Sequence, residues 1–172
     1  ADHFASYSIS AVDEKEYESF ISEPIDYKRE FKMYEAENIG IPSGQPFVNF
    51  SGKGFIDISK EQNKNIEWLV DVGKPGNYWL DIRYANGSGP WNTDNKCAIR
   101  SLFVNGDYQG VFVFPQRGKD EWSDWGFSNI RKVNLKEGQN IIHIRFEEWN
   151  HNMNVDVNMA ILDYFRLTKC EE

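Results

Sequence analysis

Two acidic clusters have the composition for cleaving a glycosidic bond. Glu147 and Glu148 stand near Asp156, and Asp120 and Glu121 stand near Asp124. Glycoside hydrolysis needs two carboxylates at a fixed separation, one to protonate the leaving group and one to attack or to activate water. With 27 Asp and Glu in 172 residues, such pairs also arise by chance. No Gly-x-Ser-x-Gly elbow, His-Glu-x-x-His, Walker loop or Cys-x-x-Cys occurs. Of the three histidines, His143 falls in an expected strand and His3 in the N-terminal tail. His151 alone lies in a candidate loop. The reading is of a chain without catalysis of its own.

The other chemistry is recognition by flat rings. Aromatics make up 15% of the chain, with six Trp and eight Tyr, more than a core of this size needs. Rings displayed on loops suit sugars or nucleobases. The 19 Lys and Arg against 27 acidic residues leave a net charge of −8, which excludes a general nucleic-acid binder. Trp91, Trp122, Trp125 and Trp149 fall in expected loops, whereas Trp68 and Trp79 fall in expected strands and are assigned to the core. A Trp with no core period is a candidate platform, because exposed apolar surface usually has a purpose.

The elements that must hold these loops read as strands. Apolar and polar residues alternate through 65–71, 77–84, 99–104, 108–114, 130–135, 140–146 and 161–167. Asn105-Gly106 is a strong hairpin signal, and Glu137-Gly138-Gln139 is expected to close a second hairpin. The spacing predicts nine or ten strands, an all-β sandwich of two antiparallel sheets. Longer loops are expected at 40–46, 86–96, 115–127 and 147–158, and function tends to sit on such loops. Residues 1–31 are polar and acidic, with a short helix expected over 13–21, and read as a linker or packing arm; residues 32–172 form the sandwich. Cys97 and Cys170 would pair once or stay as thiols. No apolar run reaches the roughly 18–20 residues needed to span a bilayer. The start Ala1-Asp2-His3-Phe4 has neither the basic nor the apolar region of a signal peptide.

Several segments stand in a specific order and spacing. They are Tyr34-Glu35-Ala36-Glu37, Phe50-Ser51-Gly52-Lys53-Gly54-Phe55, Ile66-Glu67-Trp68, Gly76-Asn77-Tyr78-Trp79-Leu80, Val104-Asn105-Gly106, Trp122-Ser123-Asp124-Trp125 and Leu162-Asp163-Tyr164-Phe165. In this series the chain resembles the non-catalytic carbohydrate-binding modules of families 35 and 6, over about residues 32–169. The resemblance implies a jelly-roll β-sandwich, attached to a secreted, periplasmic or cell-surface glycoside hydrolase or polysaccharide lyase. It implies a structural calcium at Glu35, Glu37 and Asp163, with Lys53 nearby. That donor set suits an ion that takes 6–8 hard oxygens.

The resemblance also implies a sugar site in the loops at one end, for an oligo- or polysaccharide that includes uronic acid in some members. Trp91, Asn92, Asp94 and Asn95 offer a stacking face, amides and a carboxylate there. Arg117 is a candidate carboxylate clamp. Trp122, Trp125, Trp149 and Asn154 complete the candidate set. The family's usual Asn two residues before the final-strand Asp is Ile161 here, which leaves that role vacant or passes it to Asn158 or Asn154. The alternative is an accessory sandwich that binds no sugar.

Overall fold

A computed structural model describes residues 4–7, 12, 14–15, 25–28, 31–88, 97–151 and 157–170. The chain divides into two compact units, Ala1–Phe31 and Lys32–Glu172. In the first, β1 (Phe4–Tyr7) pairs antiparallel with β2 (Ile25–Lys28), Phe4 facing Lys28 in register. The sequence reading assigns no strand here, because four-residue strands are too short to show a period. The expected helix over 13–21 lies outside the described residues except for Glu14 and Lys15, which form a turn.

The second unit is built from β3 (Phe31–Glu35), β4 (Ile56–Ile58), β5 (Asn65–Val72), β6 (Gly76–Ala85), β7 (Cys97–Val104), β8 (Asp107–Pro115), β9 (Gly126–Phe127), β10 (Arg131–Leu135), β11 (Gly138–Arg145) and β12 (Ala160–Lys169). A 3-10 turn, Ala36–Asn38, is the one helical element among the described residues. One sheet has the order β10-β6-β12-β3, with β4 added on β12 and β9 on β6. The other has the order β5-β11-β7-β8.

Alternation creates the core. Along β5 the side chains of Ile66, Trp68, Val70 and Val72 are buried while Asn65, Glu67, Leu69 and Asp71 face outward. The two sheets meet where Trp68 packs on Phe165, ring centroids 4.3 Å apart, and where Tyr84 packs on Phe114 at 5.2 Å. Each such buried ring contributes about 1.5–3 kcal/mol from area alone. The outcome for Trp79 differs from the sequence reading. Tyr78 and Leu80 take the inward positions of β6, so Trp79 is only half-buried on the opposite face, in register with Lys132 and Thr168. Cys97 is buried, Cys170 half-buried, and no disulfide joins them.

The Asn105-Gly106 turn joins β7 to β8 with positive φ at both residues, 51° and 92°, as a type I′ hairpin requires. The second expected hairpin is corrected. β10 pairs with β6, and β11 pairs with β5 and β7, so the turn at Gly138 carries the chain from one sheet to the other. The turn residues signal a reversal of direction, not a partner. Placing Val133 and Leu135 in one sheet and Ile142 and Ile144 in the other buries all four. The turn at 73–76 likewise crosses between sheets.

Candidate functional site

Connections between strands gather at one end of the sandwich. After β6, Asn86 accepts from the Arg117 amide at 2.8 Å, and Gly87 accepts from the Asp120 amide at 3.0 Å. These bonds tie the loop that leaves β6 to the loop that leaves β8. The segment before β4 joins the same group: the Val48 amide donates to Ser123 Oγ at 3.0 Å, and the Trp125 indole donates to the Val48 carbonyl at 2.8 Å.

Aromatic packing fills the base of this end. Phe55, Ala85 and Ile161 are buried, with Phe47, Phe50, Trp122 and Trp125 against them. Phe47 stacks on Trp122 with centroids 5.7 Å apart and planes 13° apart, and Phe55 meets Trp125 edge-on at 5.7 Å. Both tryptophans of the W-x-x-W pair are thus half-buried packing rings. Ile161, in the position of the family's Asn, is part of that apolar base.

The predicted carboxylates meet beside the loop 51–54. The Asp163 carboxylate is buried at a bulge, where the β12–β6 register slips between Leu162 and Tyr164. Its Oδ1 accepts the Ser51 amide at 2.8 Å, and its Oδ2 is paired with the Arg83 guanidinium. Arg83 also lies 5.4 Å from the centroid of Trp125, linking the acidic and aromatic groups. Glu35 Oε1 accepts from Ser51 Oγ at 2.9 Å, and Glu37 Oε1 accepts from the Lys53 amide at 2.8 Å. The Lys53 side chain itself is exposed. The second oxygen of each glutamate, Oε2, is buried without a hydrogen-bond partner.

Gly52 is required here by close approach. It has φ +60°, and a Cβ on it would lie 2.5 Å from Glu37 Oε1 and 3.0 Å from Glu35 Oε2. Burial pushes the Glu35 and Asp163 carboxyls up from their ordinary values, with neighbouring carboxylates adding to the shift. Hydrogen bonds from Ser51 and the Arg83 charge oppose it. Among the described residues no three such side chains already close on one metal position. Asp163 is turned toward Arg83 instead. Two orphaned, buried carboxylate oxygens beside a bare glycine nonetheless fit a hard cation.

The remaining candidates fall into three groups. Trp91, Asn92, Asp94, Asn95 and Asn154 lie outside the described residues. Arg117 is pinned rather than free: its Nε donates to the Asp124 carbonyl at 2.9 Å, and Nη2 reaches Asp124 Oδ1 at 3.3 Å. Its guanidinium carbon lies 6.0 Å from the Tyr84 ring centroid. Asn158 is buried with both ends of its amide engaged, accepting from the Ile99 amide at 3.0 Å and from Arg100 Nη1 at 2.6 Å while donating to the Asn150 carbonyl at 2.8 Å.

Trp149 is the exception. It is 61% exposed on a tight turn in which the Asn150 amide donates to the Glu147 carbonyl at 2.9 Å. Sequence reasoning passed over Arg100, Ser101 and Asn150, which build the support beneath that turn. A signal existed: Arg100 shares strand parity with Ala98, Leu102 and Val104, so a charge was due at a core position. Arg83, which neutralises Asp163, also went unassigned, because pairing across 80 residues leaves no local trace.

No family model matches the chain. Over 98% of its length it is 27% identical to a cycloisomaltooligosaccharide glucanotransferase of Niallia circulans, and it spans only 16% of that relative. The fold is similar to a family 35 carbohydrate-binding module from Clostridium thermocellum, with a TM-score of 0.60 and 23% identity over 80% of this chain and 97% of the module. It is also similar to a part of a cycloisomaltooligosaccharide glucanotransferase of Paenibacillus sp. complexed with cycloisomaltoheptaose, with a TM-score of 0.61 and 24% identity over 78% of this chain and 18% of the enzyme. Two antiparallel sheets, the loop cluster at one end and these likenesses together identify the chain as a jelly-roll β-sandwich with the fold of the family 35 carbohydrate-binding modules.

Proposed function

We propose that this chain binds carbohydrate without transforming it, and that it holds an attached carbohydrate-active enzyme on its polymer outside the cell. One observation carries the reading: Trp149 presents an exposed ring on a hydrogen-bonded turn at the loop end. Sugar rings have apolar C–H faces that pack on such a surface. Attachment raises the effective concentration of enzyme at its substrate, which is how a weak module becomes useful.

The ligand class proposed is a neutral α-1,6-linked glucose oligomer. The relative from Niallia circulans and the Paenibacillus structure, by their names, handle cyclic isomaltooligosaccharides, and this supports the choice. The engagement of Arg117 with Asp124 weighs against a uronate clamped at that residue. Affinity electrophoresis through dextran, xylan, mannan and polygalacturonate tests the proposal. Retardation by dextran is expected; retardation by none of the four would favour the accessory sandwich, and by polygalacturonate alone a uronate ligand.

Calcium is the proposed resident ion at the carboxylate group. Glu35, Glu37 and Asp163 would hold it, beside the main chain of residues 51–54. Bound there, the ion supplies the positive charge that lets three carboxylates share a buried corner. Asp163 would divide its oxygens between the ion and Arg83. The role is structural, fixing the start of β4 against β12 and the loop that Trp125 caps.

A further inference from the structure

We infer that Asn158 is a positioning residue for Trp149, held in place by the buried Arg100; the inference rests on the reading of Trp149 as the sugar platform. Arg100 is fully buried on the core face of β7, and among the described residues no carboxylate pairs with it. Its guanidinium donates to Asn158 Oδ1 at 2.6 Å and to the Ser59 carbonyl at 2.8 Å, and lies 5.3 Å from the Phe146 ring centroid. Burying a cation without a counter-charge is costly. The donors of Arg100 tie the end of β4 to the approach to β12, and its plane over Phe146 adds the end of β11.

From Asn158 the chain of bonds runs outward. Its Nδ2 donates to the Asn150 carbonyl at 2.8 Å. The Asn150 side chain accepts the Glu147 amide at 2.8 Å and donates to Ser101 Oγ at 3.0 Å. Asn150 is only 2% exposed, whereas its neighbour Trp149 is 61% exposed. A buried polar ladder therefore ends in one displayed ring. Asn158 thus acts behind the sugar rather than on it, since both ends of its amide are occupied. Preorganising the ring removes the cost of ordering it when ligand binds.

Asn158→Asp isolates this role. The carboxylate still accepts from Ile99 and Arg100, and it neutralises the buried cation, but the donor to Asn150 is lost. Labelling with 5-fluorotryptophan gives one fluorine signal for each of the six tryptophans, and Trp149→Phe identifies the one in question. The expected result is that Asn158→Asp keeps its melting temperature, moves and narrows the Trp149 signal toward that of the free amino acid, and leaves the other five in place. Isomaltoheptaose should bind about three- to tenfold more weakly, the cost of ordering one side chain on binding. In a Trp149→Ala background the change should add nothing. Ser101→Ala, which cuts the ladder at its other end, carries the same test if Asn158→Asp fails to fold. A Trp149 signal unchanged in the folded variants overturns the inference. Trp149→Ala binding isomaltoheptaose as tightly as the wild type would instead sink the platform reading, while the fluorine signal still decides the positioning.

Discussion

The side-chain amide of Asn158 donates to the main-chain carbonyl of Asn150 at 2.8 Å, closing the base of the loop between them. Both asparagines are buried, so this bond is made away from competing water. Asn150 and Asn158 are thus tied to each other, with Trp149 next to the first. The same end holds a contrasting pair, Trp122 and Trp125, whose rings pack on Phe47 and Phe55.

Those two environments predict opposite mutant behaviour. Trp125→Ala removes a half-buried ring and the donor to the Val48 carbonyl. It should cost about 3 kcal/mol of stability, a drop of roughly 6–12 °C in melting temperature for a chain of this size. Trp149→Ala should leave the melting temperature within about 2 °C, the limit for an exposed site. Differential scanning calorimetry of the two variants checks this contrast, and equal losses would contradict it.

Metal should reverse the sign of a charge deletion. Burial raises the Glu35 carboxyl above its ordinary value of 4.5, so without calcium the folded chain holds that proton more tightly than the unfolded chain. This contribution is full below the ordinary value and fades as pH rises through the raised one. In EDTA at pH 7, Glu35→Gln should therefore melt higher than the wild type, with the gap closing toward pH 4. In excess calcium the same variant should melt lower, because a ligand has been lost. A wild-type melting curve that ignores both EDTA and calcium would remove the ion from the account.

Saturation sets the size of that effect. An ion present at one hundred times its Kd stabilises by about 2.7 kcal/mol, or roughly 5–10 °C here. Gly52→Ala should abolish the calcium-dependent gain, since its Cβ would press on Glu37 Oε1 and its φ of +60° disfavours any side chain. Thermal melts of this variant with and without calcium should superimpose. A calcium gain of wild-type size would place the ion elsewhere.

Much of the sandwich was legible because alternation is a local pattern. The outward Asn65, Glu67, Leu69 and Asp71 against the inward Ile66, Trp68, Val70 and Val72 can be read residue by residue. Asn105-Gly106 likewise specifies its own turn. What failed was partner choice. The turn at Gly138 looks like a hairpin, yet β10 and β11 belong to different sheets, and only the burial of both apolar faces decides that. Placement in a strand assigns Trp79 to the core, but its parity with Asp81 and Arg83 puts it on the other face.

The site was legible unevenly. An ordered set of motifs points to Glu35, Glu37 and Asp163, which the structure brings beside one loop, although the bulge at Asp163 and its pairing with Arg83 leave no mark in the sequence. Arg117 is a candidate ligand group from its chemistry, and Asn158 from the family's Asn role that Ile161 leaves open. Their hydrogen bonds to Asp124, Arg100 and Asn150 depend on contacts between loops, which composition does not encode.

The most direct test of the carbohydrate reading is isothermal titration of isomaltoheptaose into the wild type and Trp149→Ala, both in calcium. A micromolar to millimolar wild-type Kd is expected for a shallow site. Trp149→Ala should lose about 1–3 kcal/mol, the value of one stacked ring by analogy with base stacking. No binding by the wild type, or equal binding by both proteins, would contradict the account.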